Sequence, residues 1–433
     1  MRPLILVSGA TGYIAGRLIP RLLDANYRVR ALARSPRRLS CRSWFPRVEV
    51  FAGDVMKPPS LVSALNGADT AYYLVHNMSS GRGYTERELE GARNFARAAE
   101  EAGVRHIIYL GGLADPEQHI APHMRSRIET GMTLRQGKTP VTEFRAGVIA
   151  GSGSISFEMI RFMTELCPIV PGPAWLNNKS QPIAVQNVID YLLAALDNPN
   201  GRGGVFEIGG PEVFYYKDLM LKYARARGLK RRMVLLPHVP LWLMAFGVGL
   251  LTPVPRPIAH ALIGGLSADS VVKHPGARQV FPEVKLISFD DAAQTALQEL
   301  SPLRIERVWN EDGQNEETLK HEGFFIHRRS VQIQAPLDRV YQALWKISPK
   351  TNWRVEASGE NERVLLREEN QRGGEKWLEW RVARKAGATR LCQIVFFAPR
   401  GLPGFLNWYL SSPFRALWLR ILARKIEREC AGV

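Results

Sequence analysis

Cysteine is scarce in this chain of 433 residues: Cys41, Cys167, Cys392 and Cys430 stand far apart, with no CxxC pair and no metal-ligand spacing. That excludes a disulfide-stapled small scaffold and a zinc module, and it fits a reducing cytoplasm. Long apolar runs are missing too. No stretch reaches the ~18 residues that a spanning helix needs. The nearest candidate, 239–251, is interrupted by Pro240 and followed by Pro253-Val254-Pro255, so it reads as a buried or interfacial segment. The first residues form an apolar run that reads as a strand rather than a signal peptide. Acidic residues are in deficit, 41 Asp and Glu against 58 Lys and Arg, a net charge of +17. Such a field attracts phosphate-rich ligands, anionic membrane surfaces or nucleic acid. Nucleic acid is set aside, because the chain has no zinc spacing, no aromatic RNP-like strand and no low-complexity basic tail. The expectation is a cytoplasmic protein, soluble or peripheral on the inner face of the membrane.

What is present is an ordinary globular composition, 45% hydrophobic and 23% charged, in a chain too long for one core. Two or three domains are expected. The most informative segment is Leu4 to Gly16, LILVSGATGYIAG. An apolar run ends in Ser8-Gly9 and leads into a helical spacing of Ile14, Leu18, Ile19, Leu22 and Leu23, which is a strand, a glycine turn and a helix. Gly9 permits the tight turn and Gly12 the approach of a pyrophosphate, held by the free N–H groups at the helix start. The second strand, Arg28 to Arg34, ends in Arg34 where an NAD-preferring domain carries Asp or Glu for the ribose 2′-OH. A guanidinium there suits a 2′-phosphate, so the expected cofactor is NADP(H).

Strands continue at Val48–Phe51, Thr70–His76, His106–Leu110 and Val141–Ile149, with a helix over 87–102. That alternation predicts an α/β doubly wound Rossmann-type parallel sheet. Beyond Gly151 it loosens into a small substrate lobe within about 151–300. The polar, acidic stretch 301–322 reads as a linker. After it, 323–433 reads as an α+β domain: strands at 328–333, 364–369, 377–383 and 391–397, a helix over 337–347 and a terminal helix over 413–428.

These segments resemble the atypical short-chain dehydrogenase/reductases, in the NmrA-like group related to the accessory reductase-fold subunit of respiratory complex I. The resemblance rests on SGATGYIAG, GDV at 53–55, YYLVHNM at 72–78, IIYLGGL at 107–113, HMRSRIETG at 123–131 and FRAGVIAGSGSISFEMIR at 144–161. The tail, with EKWLEWRV at 375–382 and FFAPRGLPGFLNWYL at 396–410, is similar to the START-like (SRPBCC) domain that one bacterial subfamily appends. The resemblance implies that Gly9, Thr11, Gly12, Tyr13 and Ile14 wrap the pyrophosphate and that Arg34 meets the 2′-phosphate. It further implies that Asp54 and Val55 flank the adenine, while Leu74, Val75 and His76 line the nucleoside.

The departures bear on catalysis. A working member of that superfamily uses a Ser at the end of strand five and a Tyr-x-x-x-Lys pair on the next helix. Here the serine slot reads Gly111-Gly112, the tyrosine slot is His123 and the lysine slot Arg127. Arg127 can bind ribose but does not titrate near neutrality, and His123 can donate a proton. Ala146 stands where the family often has proline. In the tail, Ile347 runs through 348–352 directly to Trp353, without the long aromatic-rich insertion usual in that subfamily, so a smaller or open cavity is expected. Trp377, Trp380, Phe396, Phe397, Trp408 and Trp418 line a pocket or simply fill the core, the latter preferred. The terminal helix places Phe414, Leu417, Trp418, Ile421 and Leu422 on one face. That face is expected to pack on the sheet, although a basic amphipathic helix can also lie on anionic lipid.

Three readings stay open: a reductase passing hydride from NADPH to an apolar, quinone- or isoprenoid-like small molecule; a non-catalytic NADP(H)-holding structural or redox-sensing subunit of a larger, membrane-associated complex; and lipid carriage by the C-terminal domain.

Overall fold

Leu4–Ser8 (β1) is apolar and buried along its whole length, as a strand covered on both faces must be. The computed structural model describes residues 3–76, 83–115, 117–118, 120–237, 240–252, 256–304, 307–309, 316–318, 323–348, 352–369, 373–385 and 387–432. Asn77 and Met78 of the YYLVHNM motif, Val239, Pro253 to Pro255, the acidic run 310–315 and Pro349 to Thr351 lie outside the described residues.

β1 is followed by α1 (Tyr13–Asp24), β2 (Arg28–Ala33), β3 (Glu49–Ala52), α2 (Pro58–Leu65), β4 (Thr70–Tyr73), α3 (Tyr84–Glu101), β5 (His106–Gly112), α4 (Pro122–Leu134) and β6 (Val141–Ala146). With a seventh strand, Val205–Ile208, they form one parallel sheet in the order 205–208, β6, β5, β4, β1, β2, β3. The winding reverses between β1 and β4, which opens a crevice at their carboxyl ends. The doubly wound reading of the first half thus agrees with the sheet. The strand expected over 141–149 is two: β6 ends at Ala146, and Ile149–Ala150 pairs instead with Ile183–Ala184. Likewise β4 stops at Tyr73, so Leu74 to His76 form the loop that rims the crevice.

The lobe beyond β6 contains α5 (Ile155–Leu166), α6 (Val185–Asp197), α7 (Tyr216–Ala226), α8 (Leu241–Leu251) and α9 (Arg256–Gly265). Within 301–322, Arg307–Trp309 and Glu316–Thr318 pair antiparallel and lie against the turn Pro36–Leu39.

The C-terminal part is a five-stranded antiparallel sheet, ordered Phe325–Ile333, Ala388–Pro399, Gly374–Lys385, Arg363–Glu368, Trp353–Gly359. Helix Leu337–Ile347 and the terminal helix Ser412–Ala431 pack on each other. An additional helix, Gly401–Leu410, precedes the terminal one. Trp377, Trp380, Phe396 and Phe397 are almost completely buried and fill the core. That core is continuous with the lobe, for Phe162 of α5 meets both Phe325 and Phe405 at ring separations of 6.1 and 6.2 Å.

The expected packing face of the terminal helix is corrected. Leu419, Leu422, Ala423, Ile426 and Cys430 are buried, whereas Phe414, Leu417 and Ile421 stand in solvent and Trp418 is half-buried. The helix carries apolar residues on two faces. The turn at Ser411 sets its rotation, and Arg415 swings inward to stack over Trp408 at 3.6 Å and donate to the Trp408 carbonyl.

Candidate functional site

The turn from Gly9 to Gly12 carries the backbone from β1 into α1. Gly9 has φ +69°, and a Cβ there would lie 2.5 Å from the Leu74 carbonyl oxygen, so only glycine allows β4's exit loop to close on the turn. Gly12 donates its N–H to the Gly9 carbonyl at 2.8 Å. Gly12 is also the N-cap of α1 and offers no side chain, so no capping side chain competes for the first N–H groups of the helix. Such an end suits an anion. Arg42 supports it from below: its guanidinium is buried and donates to the Thr11 carbonyl at 2.8 Å.

One cleft of about 650 Å³ extends from this turn across the carboxyl ends of the strands. Thr11, Tyr13 and Ile14 line it beside Gly9 and Gly12. Arg34, at the end of β2, is an exposed cation on its rim. After β3, Asp54 and Val55 line the same end, with the Asp54 carboxylate accepting from the Met56 N–H at 3.0 Å. Leu74, Val75 and His76 form the edge above β4, and Gly111, His123 and Arg127 lie deeper. The residues assigned from the sequence to the cofactor and to catalysis all line this one cavity. The far wall is apolar: Leu113, Ile120, Met159, Ile160, Leu262 and Leu266.

In the deep part, His76 Nδ1 lies 3.0 Å from the Glu88 carboxylate, which also accepts from Ser126 Oγ. Tyr109 Oη donates to the Arg127 carbonyl at 2.9 Å. Burial, reinforced by the Arg127 charge and only partly offset by Glu88, lowers both His76 and His123 to a pKa of about 4. Burial also pushes Tyr109 up to about 12. His123 is therefore a neutral imidazole at pH 7, able to donate a hydrogen bond but not a ready imidazolium acid. His76 Nε2 and His123 Nδ1 are buried without a hydrogen-bond partner among the described residues. At the serine slot a Cβ on Gly112 would come within 2.8 Å of Met124 Cε, the end of a flexible side chain, and 3.0 Å of Arg127 Cδ, and one on Gly111 would meet Tyr109 Cε1 at 3.1 Å and Glu143 Oε1 at 3.3 Å.

Sequence reasoning missed Glu88, Ser126 and Arg42. Glu88 is one of several acids on α3, and only its burial distinguishes it. Arg42 is one more arginine in a loop already rich in them. It also missed Glu143, fully buried on β6 between Arg135 and Arg145, whose carboxylate sits against Gly111 and Gly131.

Residues 1–206 match the model of the NmrA-like family. That stretch, a little under half of the chain, is similar to the NmrA-like family. Over 270 residues the chain is 28% identical to the (4-alkanoyl-5-oxo-2,5-dihydrofuran-3-yl)methyl phosphate reductase of Streptomyces griseus, a match spanning 60% of this chain and 85% of that one. It is 24% identical over 244 residues to the photosystem II assembly factor Ycf39 of Cyanophora paradoxa, spanning 54% of this chain and 71% of that one. Among solved structures, the NADPH-dependent quinone oxidoreductase of Escherichia coli in complex with NADPH superposes with a TM-score of 0.54. That superposition has 17% identity and covers 67% of this chain and 98% of that one. At that identity the shared property is the fold.

Proposed function

We propose that the cleft binds NADP(H) and that the protein is a slow NADPH-dependent reductase of an apolar, quinone- or isoprenoid-like substrate. The observation that carries this reading is the composition of one continuous cleft. It has an uncapped helix start and an arginine at one end, an apolar wall at the other, and neutral imidazoles between them. Bound NADPH would supply hydride. Gly9 to Ile14 would hold the pyrophosphate, Arg34 the 2′-phosphate and Arg127 the nicotinamide ribose. His123 would donate a hydrogen bond to the substrate oxygen that gains negative charge as hydride arrives. The Streptomyces griseus relative is named as a reductase, and the Escherichia coli structure holds NADPH on the same fold.

The same proposal takes residues 1–300 as the cofactor-and-substrate unit, 301–322 as the connection and 323–433 as a shortened START-like domain. What supports the last assignment is a five-stranded antiparallel sheet closed by a long terminal helix. Of the aromatics expected to line a pocket or fill the core, Trp377, Trp380 and Phe396 fill it, while the buried Phe397, with Trp408 and Trp418, borders a cleft of about 320 Å³.

A second reading has a specific observation behind it. Gly111-Gly112 stands where a catalytic serine would, so the slot offers no hydroxyl. On that reading the protein holds NADP(H) without consuming it, as a structural or redox-sensing subunit, and the likeness to an assembly factor is in keeping with it. Calorimetry and turnover separate the two. A charge-assisted contact contributes roughly 1.5–3 kcal/mol, so Arg34→Asp should weaken NADPH at least about tenfold and spare NADH. Equal loss for both cofactors removes Arg34 from the site. NADPH oxidation by a short-chain quinone, abolished in His123→Phe with cofactor affinity retained, supports the reductase. Tight binding with no oxidation by quinones or enones supports the second reading.

A further inference from the structure

Three helices leave large apolar side chains in solvent on neighbouring surfaces. α8 buries Ala245 and Val248 but exposes Trp242, Leu243, Phe246 and Leu250, spaced three and four residues apart, with Trp242 64% exposed. Helix 401–410 exposes Leu406, Tyr409 and Leu410, and helix 412–431 exposes Phe414, Leu417 and Ile421. Leu410 and Phe414 are each 72% exposed. The helices adjoin: Tyr409 Oη donates to the Leu250 carbonyl at 3.5 Å, and only Ser411 separates the two C-terminal helices. A contiguous patch of this kind is not the scatter of single apolar residues that any surface carries.

Its charge narrows what can cover it. On helix 412–431 the exposed Arg420, Arg424 and Arg428 follow Leu417 and Ile421 at helical spacings of three and seven, so cations border the apolar stripe along one side. The chain as a whole carries +17. Trp242 and Tyr409 are the residue types that settle at a membrane–water boundary. Among the described residues no helix is long and apolar enough to cross a membrane, which leaves a surface-lying mode.

We propose that this three-helix face docks on an anionic lipid bilayer, with the apolar side chains at the headgroup–acyl boundary and the arginines on lipid phosphates. The inference does not depend on NADP(H) binding. It does place the cleft next to the membrane, because α8 packs on α9, α9 contributes Leu262 to the cleft wall and Leu266 follows directly after it.

The test uses the full chain with vesicles of phosphatidylcholine alone and of phosphatidylcholine with phosphatidylglycerol. Co-sedimentation with the anionic vesicles is expected, weakening as salt shortens the screening length. Leu410→Gln, Phe414→Gln and Leu417→Gln combined should lower partitioning at least about tenfold, as should Trp242→Gln with Phe246→Gln, both with an unchanged circular-dichroism melt. Arg420→Gln, Arg424→Gln and Arg428→Gln together should remove the preference for anionic over neutral vesicles. Absence of co-sedimentation at low salt overturns the proposal. So does binding that persists in both of these apolar variants while they stay folded. A dimer that the apolar substitutions dissociate, with no vesicle binding, would show instead that a second copy covers the face.

Discussion

His76, His106 and His123 all have pKa values lowered from 6.5 to about 4, with burial the largest cause in each case. The folded protein therefore binds fewer protons than the unfolded chain between those two values. The stability this contributes is fully present above pH 6.5 and is lost as pH falls toward 4, at roughly 1 kcal/mol per pH unit for each histidine. Thermal melts should show a falling melting temperature across that window, with a shallower slope in His123→Asn; an unchanged slope would mean that His123 is already protonated when folded. The family resemblance made His123 visible, because it stands in the tyrosine slot, four residues before Arg127 and after the fifth strand. Its neutrality was not legible. That depends on Arg127 one turn along the same helix, and on His76 and the depth of the cleft, which come from other segments.

The terminal helix separates two kinds of apolar residue that look alike in sequence. Ile426 is completely buried against the C-terminal core, and Leu417 is 54% exposed. Ile426→Ala should cost about 2–5 kcal/mol in urea unfolding, while Leu417→Ala should stay within about 0.5 kcal/mol. Comparable losses at both positions would mean that the helix is rotated from the orientation described. Helical spacing sets Phe414, Leu417, Trp418, Ile421 and Leu422 on one expected packing face, and no local signal separates that stripe from 419–422–426, the one that is buried. Tertiary contact with helix 337–347 and with the sheet ranks them.

Across the whole molecule, the lobe and the C-terminal sheet share one core and one buried polar cluster. Glu165, fully buried on α5, accepts from Tyr223 Oη, from Arg227 Nε at 3.2 Å and from the Gly401 N–H at 3.0 Å. Arg227 also approaches Glu375 of the C-terminal sheet at 4.0 Å. Such a junction should unfold together with what it joins. Differential scanning calorimetry should give one cooperative transition, and Glu165→Ala should lower stability by about 3–5 kcal/mol by leaving buried cations uncompensated. Two well-separated transitions would show that the parts fold independently.

The parallel sheet and the nucleotide-type turn were written locally. Strand, glycine turn and helix periods lie within Leu4 to Leu23, and Arg34 closes the next strand, so neighbouring residues suffice to specify them. Which apolar residues of the two-faced helices are buried, and which acids and imidazoles meet in the cleft, was decided only in three dimensions. Burial depends on what other segments bring to each face, and a sequence period records the spacing of a stripe without recording its partner.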